Sequence, residues 1–146
     1  METGLLHLHS ILRWIILLLL LVCLFQALSK SAGLRKASLW LLISAHLMLL
    51  VGLYQLIAGR FGIMKGLPEG IELMKDKFYR FFWIEHPLMM IIAIILITIA
   101  RGKAKALNYK ATGWLLVIAL ILILAAVPWP FREIVGDGRT WFPGMK

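Results

Sequence analysis

The feature that most constrains this chain is a set of four apolar segments, each long enough to cross a lipid bilayer. They run from about Gly4 to Leu28, from about Lys36 to Gly59, from about Phe78 to Ala100 and from about Ala111 to Val127. About 20 apolar residues in a helix cover the roughly 30 Å hydrocarbon core. Because lipid offers the backbone no hydrogen-bond partners, all four segments are predicted to be helices.

The connections between these segments differ in length and character. Residues 29–35 and 101–110 form short basic turns, whereas residues 60–77 form a longer connection with three glycines and a proline. The stretch from Glu69 to Arg80 mixes charged and apolar residues, which favours a short interfacial helix. In the tail, residues 128–146, Trp129 and Trp141 are predicted to anchor at the lipid headgroups. The sequence predicts one domain, residues 1–146, folded as an all-α antiparallel bundle of four transmembrane helices.

The charges give this bundle a direction. The two short turns and their borders carry seven Lys or Arg residues and no acid, while the other side carries nine Lys or Arg and all seven acids. Basic residues concentrate on the cytoplasmic side of membrane proteins. Both termini, the connection 60–77 and the tail are therefore predicted to lie outside the cytoplasm.

The composition excludes several classes of protein. The chain is 62% hydrophobic and carries a net charge of +9; its basic residues flank apolar segments, so nucleic-acid binding is not expected. The single cysteine, Cys23, lies within an apolar segment and is expected to be a buried hydrophobe. The first segment lacks a basic n-region and a small-residue cleavage site, which favours a retained helix over a signal peptide. No nucleophilic triad or phosphate-binding loop is present, and whether the chain is an enzyme stays open.

Ionisable residues inside membrane segments are costly and usually functional. All four histidines lie in or at the edge of the first three segments, and the fourth segment has no ionisable residue. His46 is near the middle of the second segment on an otherwise apolar face, where an imidazole without a partner would be unfavourable. The ionisable residues within the apolar segments that are candidates for a functional site are His7, His9, Arg13, His46, Glu85 and His86.

Helical geometry narrows the ways in which the histidines can share a ligand. His7 and His9 are two residues apart and point about 200° apart on a helix, so only one is expected to face inward. Depth in the membrane can be measured along each helix from its cytoplasmic anchor, which is Lys30, Lys36 or Arg101. His9 then lies about 31 Å from its anchor, His46 about 15 Å and His86 about 22 Å, so His86 is at a depth between the other two. His86 is thus the expected common member, with His46 or His9 as its partner; its neighbour Pro87 frees the carbonyl of Trp83.

Two kinds of site use imidazoles from different membrane helices. The first is a b-type haem, which helix bundles hold between facing helices, with Arg13 available to neutralise its carboxylates. The second is a Zn or Cu site built from His86, His46, His9, His7 and Glu85 near the outer surface. A third reading makes the chain an accessory membrane subunit, with the histidines only bonding between helices and a homo-oligomer as one possible assembly.

Three stretches of sequence carry a resemblance to a known group. They are residues 6–14 (LHLHSILRW), residues 45–54 (AHLMLLVGLY) and residues 85–90 (EHPLMM). These resemble small four-helix membrane proteins of Bacteroidetes-type bacteria that are labelled cytochrome b-like, and the resemblance covers most of the chain. It implies a bacterial inner-membrane protein that holds haem b through His9, His46 and His86. It also implies electron transfer, although it names no donor or acceptor. For a cytochrome with one haem, the expected partner is a quinone or a redox partner protein. Two-haem cytochromes need two histidine pairs, so at most one bis-histidine haem is expected here.

Overall fold

The computed structural model describes residues 1–142 and contains four long helices. They are α1 (Glu2–Leu28), α2 (Leu34–Ala58), α3 (Lys77–Lys105) and α4 (Tyr109–Ala126), and a short 3₁₀ turn follows α2 at Ile63–Lys65. Each long helix is apolar enough and long enough to cross a membrane, and the described residues include no strand. The membrane-helix prediction is confirmed at this level. The last four residues of the predicted tail, 143–146, lie outside the described residues.

Local sequence explains where the helices begin. Asp76 precedes α3 and its carboxylate accepts a hydrogen bond from the Tyr79 backbone N–H at 2.8 Å. Asn108 does the same for α4, accepting from the Ala111 N–H at 3.2 Å. Such side-chain caps satisfy backbone donors that have no partner within the helix. Helix α3 continues five residues beyond the predicted end at Ala100, which leaves a turn of three residues before α4.

The connection 60–77 contains less helix than the sequence suggested. Residues 66–76 form turns, and the predicted interfacial helix from Glu69 to Arg80 is wrong over most of its length. Gly70 has a φ of +78°, a left-handed conformation that interrupts a helix. Helical structure begins only after the Asp76 cap.

The four helices pack in a ring, with α1 against α2 and α4, and α3 against α2 and α4. Their contact is made by a continuous cluster of buried side chains in which small residues alternate with leucines, including Leu20, Cys23, Leu41, Ala93, Ala100, Ala104, Leu116 and Ala119. The expectation for Cys23 is confirmed, because its thiol is fully buried and free.

Hydrogen bonds define two ends of the bundle. At the turn end, which holds the α1–α2 and α3–α4 turns, Arg35 Nε donates to the Lys105 carbonyl at 3.0 Å. At the loop end, which holds the N-terminus, residues 59–76 and the tail, Trp83 Nε1 donates to the Phe61 carbonyl at 2.7 Å. The candidate site lies at the loop end.

The tail folds back onto α1. Arg13 Nη2 and Trp14 Nε1 both donate to the Trp141 carbonyl, at 3.0 and 2.9 Å. The Trp129 ring packs against the rings of Trp14 and Trp141, with centroids 6.1 and 5.8 Å apart. The two tryptophans predicted as headgroup anchors thus belong to an aromatic cluster that fastens the tail across the loop end.

Candidate functional site

A cavity of about 640 Å³ opens between α1, α2 and α3 at the loop end, with the tail across it. This volume falls within the range of roughly 300–1,000 Å³ that is usual for small-molecule and cofactor sites. Apolar side chains form most of the wall, and the polar groups that reach it include His7, His9, Arg13, His86 and Arg139. Such a cavity fits a largely apolar ligand with a few fixed polar contacts.

His86 is aimed by an irregular turn of α3. Residues Phe81–Glu85 form a π-helical turn, in which the His86 backbone N–H bonds to the Phe81 carbonyl five residues earlier. Pro87 follows and has no N–H to donate, so the helix must accommodate a free carbonyl at this point. Turns of this kind inside α-helices are frequent at functional sites.

The His86 ring is also held by a hydrogen bond across the bundle. Its Nδ1 lies 2.7 Å from the carbonyl oxygen of Ala126, at the end of α4. A carbonyl can only accept, so Nδ1 carries the proton and donates. The lone pair is therefore on Nε2. This is the arrangement that fixes the tautomer and orientation of histidines that bind metals.

His9 faces His86 from α1. The two ring centroids are 6.2 Å apart and the ring planes are inclined by 50°. His9 Nδ1 is buried and has no hydrogen-bond partner within the described part of the chain. Gly52 of α2 lies beside this ring, since a Cβ built there would be 3.6 Å from His9 Cε1. The structure thus pairs His86 with His9, one of the two partners that the sequence allowed.

His46 is not brought to this pair. Its side chain lies on the outer face of α2 among Leu42, Ile43, Leu47 and Leu50, and its Nδ1 is 2.9 Å from the Leu42 carbonyl of its own helix. The preceding residue, Ala45, is the one that is buried and reaches the cavity. The rotation of α2 about its axis therefore separates His46 from the other histidines, and Arg13 joins the pair instead.

The residues proposed for a bare metal site are only partly gathered. His7 lines the same cavity as His9 and His86. Glu85 is turned away to an ion pair with Arg80, whose Nε lies 2.8 Å from its carboxylate. Within residues 1–142, no three His, Cys, Asp or Glu side chains come together as a metal site. Zinc usually needs three or four protein ligands, which the histidine pair alone does not supply.

Sequence reasoning missed Arg139. This tail residue reaches the cavity wall, and its guanidinium lies 4.6 Å from the centroid of the Phe82 ring. Burial lowers the pKa of Arg139, and the positive charge of Arg13 lowers it further. The available signal was an arginine next to an aromatic stretch in the tail, but nothing in the order of residues indicates that the tail folds back.

Comparison with family models, with curated proteins and with solved structures found no match for this chain.

Proposed function

We propose that this chain is a membrane cytochrome that holds one haem b between His9 and His86 and transfers electrons. The observation that carries the proposal is the pair of imidazoles facing each other 6.2 Å apart at the wall of a large cavity. Two metal–nitrogen bonds of about 2 Å each, together with the radii of two imidazole rings, span roughly 6 Å. The spacing of the pair would therefore allow His9 and His86 to hold one haem iron between them.

The ligand count favours haem over a bare Zn or Cu ion. A haem iron needs only axial ligands from the protein, because the porphyrin supplies the others. Two histidines are enough for haem but too few for a typical zinc site. His46 lies on the outer face of α2 and can contribute to neither a haem site nor a metal site in the cavity. The proposed site therefore consists of His9, His86 and the nearby Arg13.

The protein's own residues have distinct roles in this proposal. Haem would supply a one-electron couple, whose potential depends on its axial ligands and on burial. His86 Nδ1 donates to the Ala126 carbonyl, which keeps Nε2 free to bind iron and raises its basicity. Gly52 leaves room for the His9 ring, and the buried Ala93 leaves room for a flat macrocycle. The apolar wall limits the access of water to the iron.

The proposal includes the orientation of the bundle in the bacterial inner membrane. The charge asymmetry favours an antiparallel bundle with both termini outside the cytoplasm. Contacts at the loop end support the antiparallel arrangement, because they join segments from both halves of the chain. Lys65 Nζ in the connection lies 3.3 Å from Glu2 Oε1, and Arg13 donates a hydrogen bond to the tail. The haem would then sit near the outer surface and exchange electrons with a quinone in the membrane or with a redox partner protein.

An absorption spectrum of the purified protein tests this proposal. Protein from haem-replete cells is expected to be red, with a Soret band that shifts when dithionite is added. A colourless preparation that takes up no added haem would rule the proposal out. Elemental analysis of the same sample separates the alternatives, because iron in stoichiometric amount supports haem, and Zn or Cu in its place supports the metal site.

A further inference from the structure

Of the three arginines at the cavity wall, Arg60 follows α2, while Arg13 of α1 and Arg139 of the tail come from distant parts of the chain. Neither Arg13 nor Arg139 pairs with a carboxylate among residues 1–142, where the ion pairs join Lys65 to Glu2, Lys75 to Glu72 and Arg80 to Glu85. Asp137 is near Arg139 in sequence, but its carboxylate accepts from the Ile134 backbone N–H at 3.1 Å. Two acids, Glu2 and Asp137, also line the cavity, but Glu2 pairs with Lys65 and neither carboxylate forms an ion pair with Arg13 or Arg139 in the described part of the chain.

Both guanidinium groups are held in place by neutral partners. Arg13 Nη2 donates to Ser10 Oγ at 3.1 Å and to the Trp141 carbonyl, while its buried Nε has no partner within the described residues. Arg139 Nε donates to the Val135 carbonyl at 2.9 Å. Since each guanidinium has five N–H donors in a planar fork, several donors stay available to a ligand.

The two charges lie in the same part of the cavity wall, because Arg13 donates to the carbonyl of Trp141, two residues after Arg139. The positive charge of Arg13 contributes to lowering the pKa of Arg139. Two like charges close together in a partly buried site repel each other, and a nearby anion would offset this repulsion. Arginine is also the side chain best suited to bind a carboxylate, through two parallel hydrogen bonds.

The position of Arg139 relative to the histidines limits what this anion is. Its guanidinium stacks on Phe82, and the Phe82 ring centroid is 6.5 Å from that of His86. The cation is therefore separated from the axial imidazole by a single aromatic ring. Carboxylates at the edge of a flat ligand bound by His86 would come within reach of it.

We propose that Arg13 and Arg139 together bind the two propionate carboxylates of the haem, with the tail supplying half of this carboxylate site. This inference rests on the proposed haem function. The propionates would then face the loop end, beneath the tail, where Arg13 and Arg139 lie. This arrangement also gives the tail a purpose beyond anchoring, because Arg139 reaches the cavity only when the tail is folded back.

Titration of the haem-free protein with haem b and with haem b dimethyl ester tests the inference without any mutation. The ester keeps the iron and the macrocycle but lacks the carboxylate charges. Wild-type protein is expected to bind the diacid about tenfold or more tightly than the ester, since charge-assisted hydrogen bonds are lost with the ester. Both ligands should give the same Soret band, because the histidines are unchanged.

Substitution then assigns the preference to the tail. Arg139→Met is expected to reduce the preference for the diacid to about a fewfold, while Arg139→Lys retains part of it. Lys103→Gln removes a positive charge from the turn end of α3 and should leave the preference as in wild type. Equal affinities of wild-type protein for the diacid and the ester would overturn the inference, as would an unchanged preference in Arg139→Met. Failure to bind either compound would instead overturn the haem proposal itself.

Discussion

The turn end and the loop end of this bundle are built from the same four helices, yet they differ in how they treat polar groups and space. At the turn end, Ala100 and Ala104 are fully buried and let the helices approach closely. At the loop end, the helices enclose a cavity of about 640 Å³. Small residues close one end of the bundle, while Gly52 at the other end makes room for an imidazole.

Charged groups differ in the same way. Arg35 and Arg101 at the turn end donate to the Lys105 carbonyl and to Ser38 Oγ, at 3.0 and 3.4 Å. Arg13 Nε and His9 Nδ1 at the loop end are buried without a partner in the described residues, although Gln26 Oε1 near the turn end is also unpaired. Buried polar groups without partners are costly. A cluster of them around a cavity therefore indicates a ligand, whereas a single one does not.

The largest effect is expected from removing one of the two histidines that are proposed to hold the haem. His86→Ala should abolish the haem Soret band, and His9→Ala should remove it or shift it strongly, because each supplies one iron ligand in the proposed site. His46→Ala is the matched control and should keep the band, since His46 lies on the outer face of α2. Absorption spectra of the three purified variants are the measurement. Loss of the band in His46→Ala with retention in His9→Ala would reverse the assignment of the pair.

A change in the tail should have the next largest effect. A Cβ at Gly136 would clash with the carbonyl oxygen of Trp129, so Gly136→Ala is expected to displace the segment that carries Arg139. Haem affinity should fall by about tenfold, as expected for the loss of a charge-assisted contact.

Gly102→Ala is the control for the tail variant, because a Cβ there meets no atom within 4 Å. Its haem affinity, measured by the same titration, should equal that of wild type. If Gly136→Ala also binds haem as wild type does, the tail is not part of the site.

At the turn end, a larger side chain should affect stability and not the site. Ala104→Leu places extra volume in a fully buried position, and overpacking of this kind costs about 1–3 kcal/mol. Thermal unfolding in detergent should show a lower midpoint, while the haem affinity of the remaining folded protein stays unchanged. Ala106→Leu adds the same volume at an exposed turn position and should unfold like wild type. Equal midpoints for both variants would show that the turn end is not tightly packed.

The smallest effect is expected at the glycine beside His9. Gly52→Ala adds a Cβ that would lie 3.6 Å from His9 Cε1, an ordinary contact, and haem affinity should change by no more than about twofold. Gly52→Leu should weaken binding clearly, because its side chain would extend into the space of the His9 ring. If the Gly52→Leu variant binds haem as tightly as the Gly52→Ala variant does, the His9 ring does not need this space.

The membrane helices could be predicted well from the sequence because their cause is local. A long apolar run must form a helix in lipid wherever its neighbours lie, and α1 begins within two residues of its predicted start. The interfacial helix predicted for residues 69–80 is absent over most of its length because Gly70 adopts a left-handed conformation, which a mixed pattern of charged and apolar residues does not indicate. The candidate site was predicted in part, since His9, His86 and Arg13 were all singled out.

The sequence by itself determined that this chain has four apolar helices and that imidazoles occur only in the first three. Tertiary structure decided which of those imidazoles meet. Helix α2 is apolar around nearly its whole circumference, so hydrophobicity does not fix its rotation; packing against its neighbours turns Ala45 inward and His46 outward. The pairing of His9 with His86 and the return of Arg139 to the cavity depend on contacts between residues far apart in the chain, which local patterns do not encode.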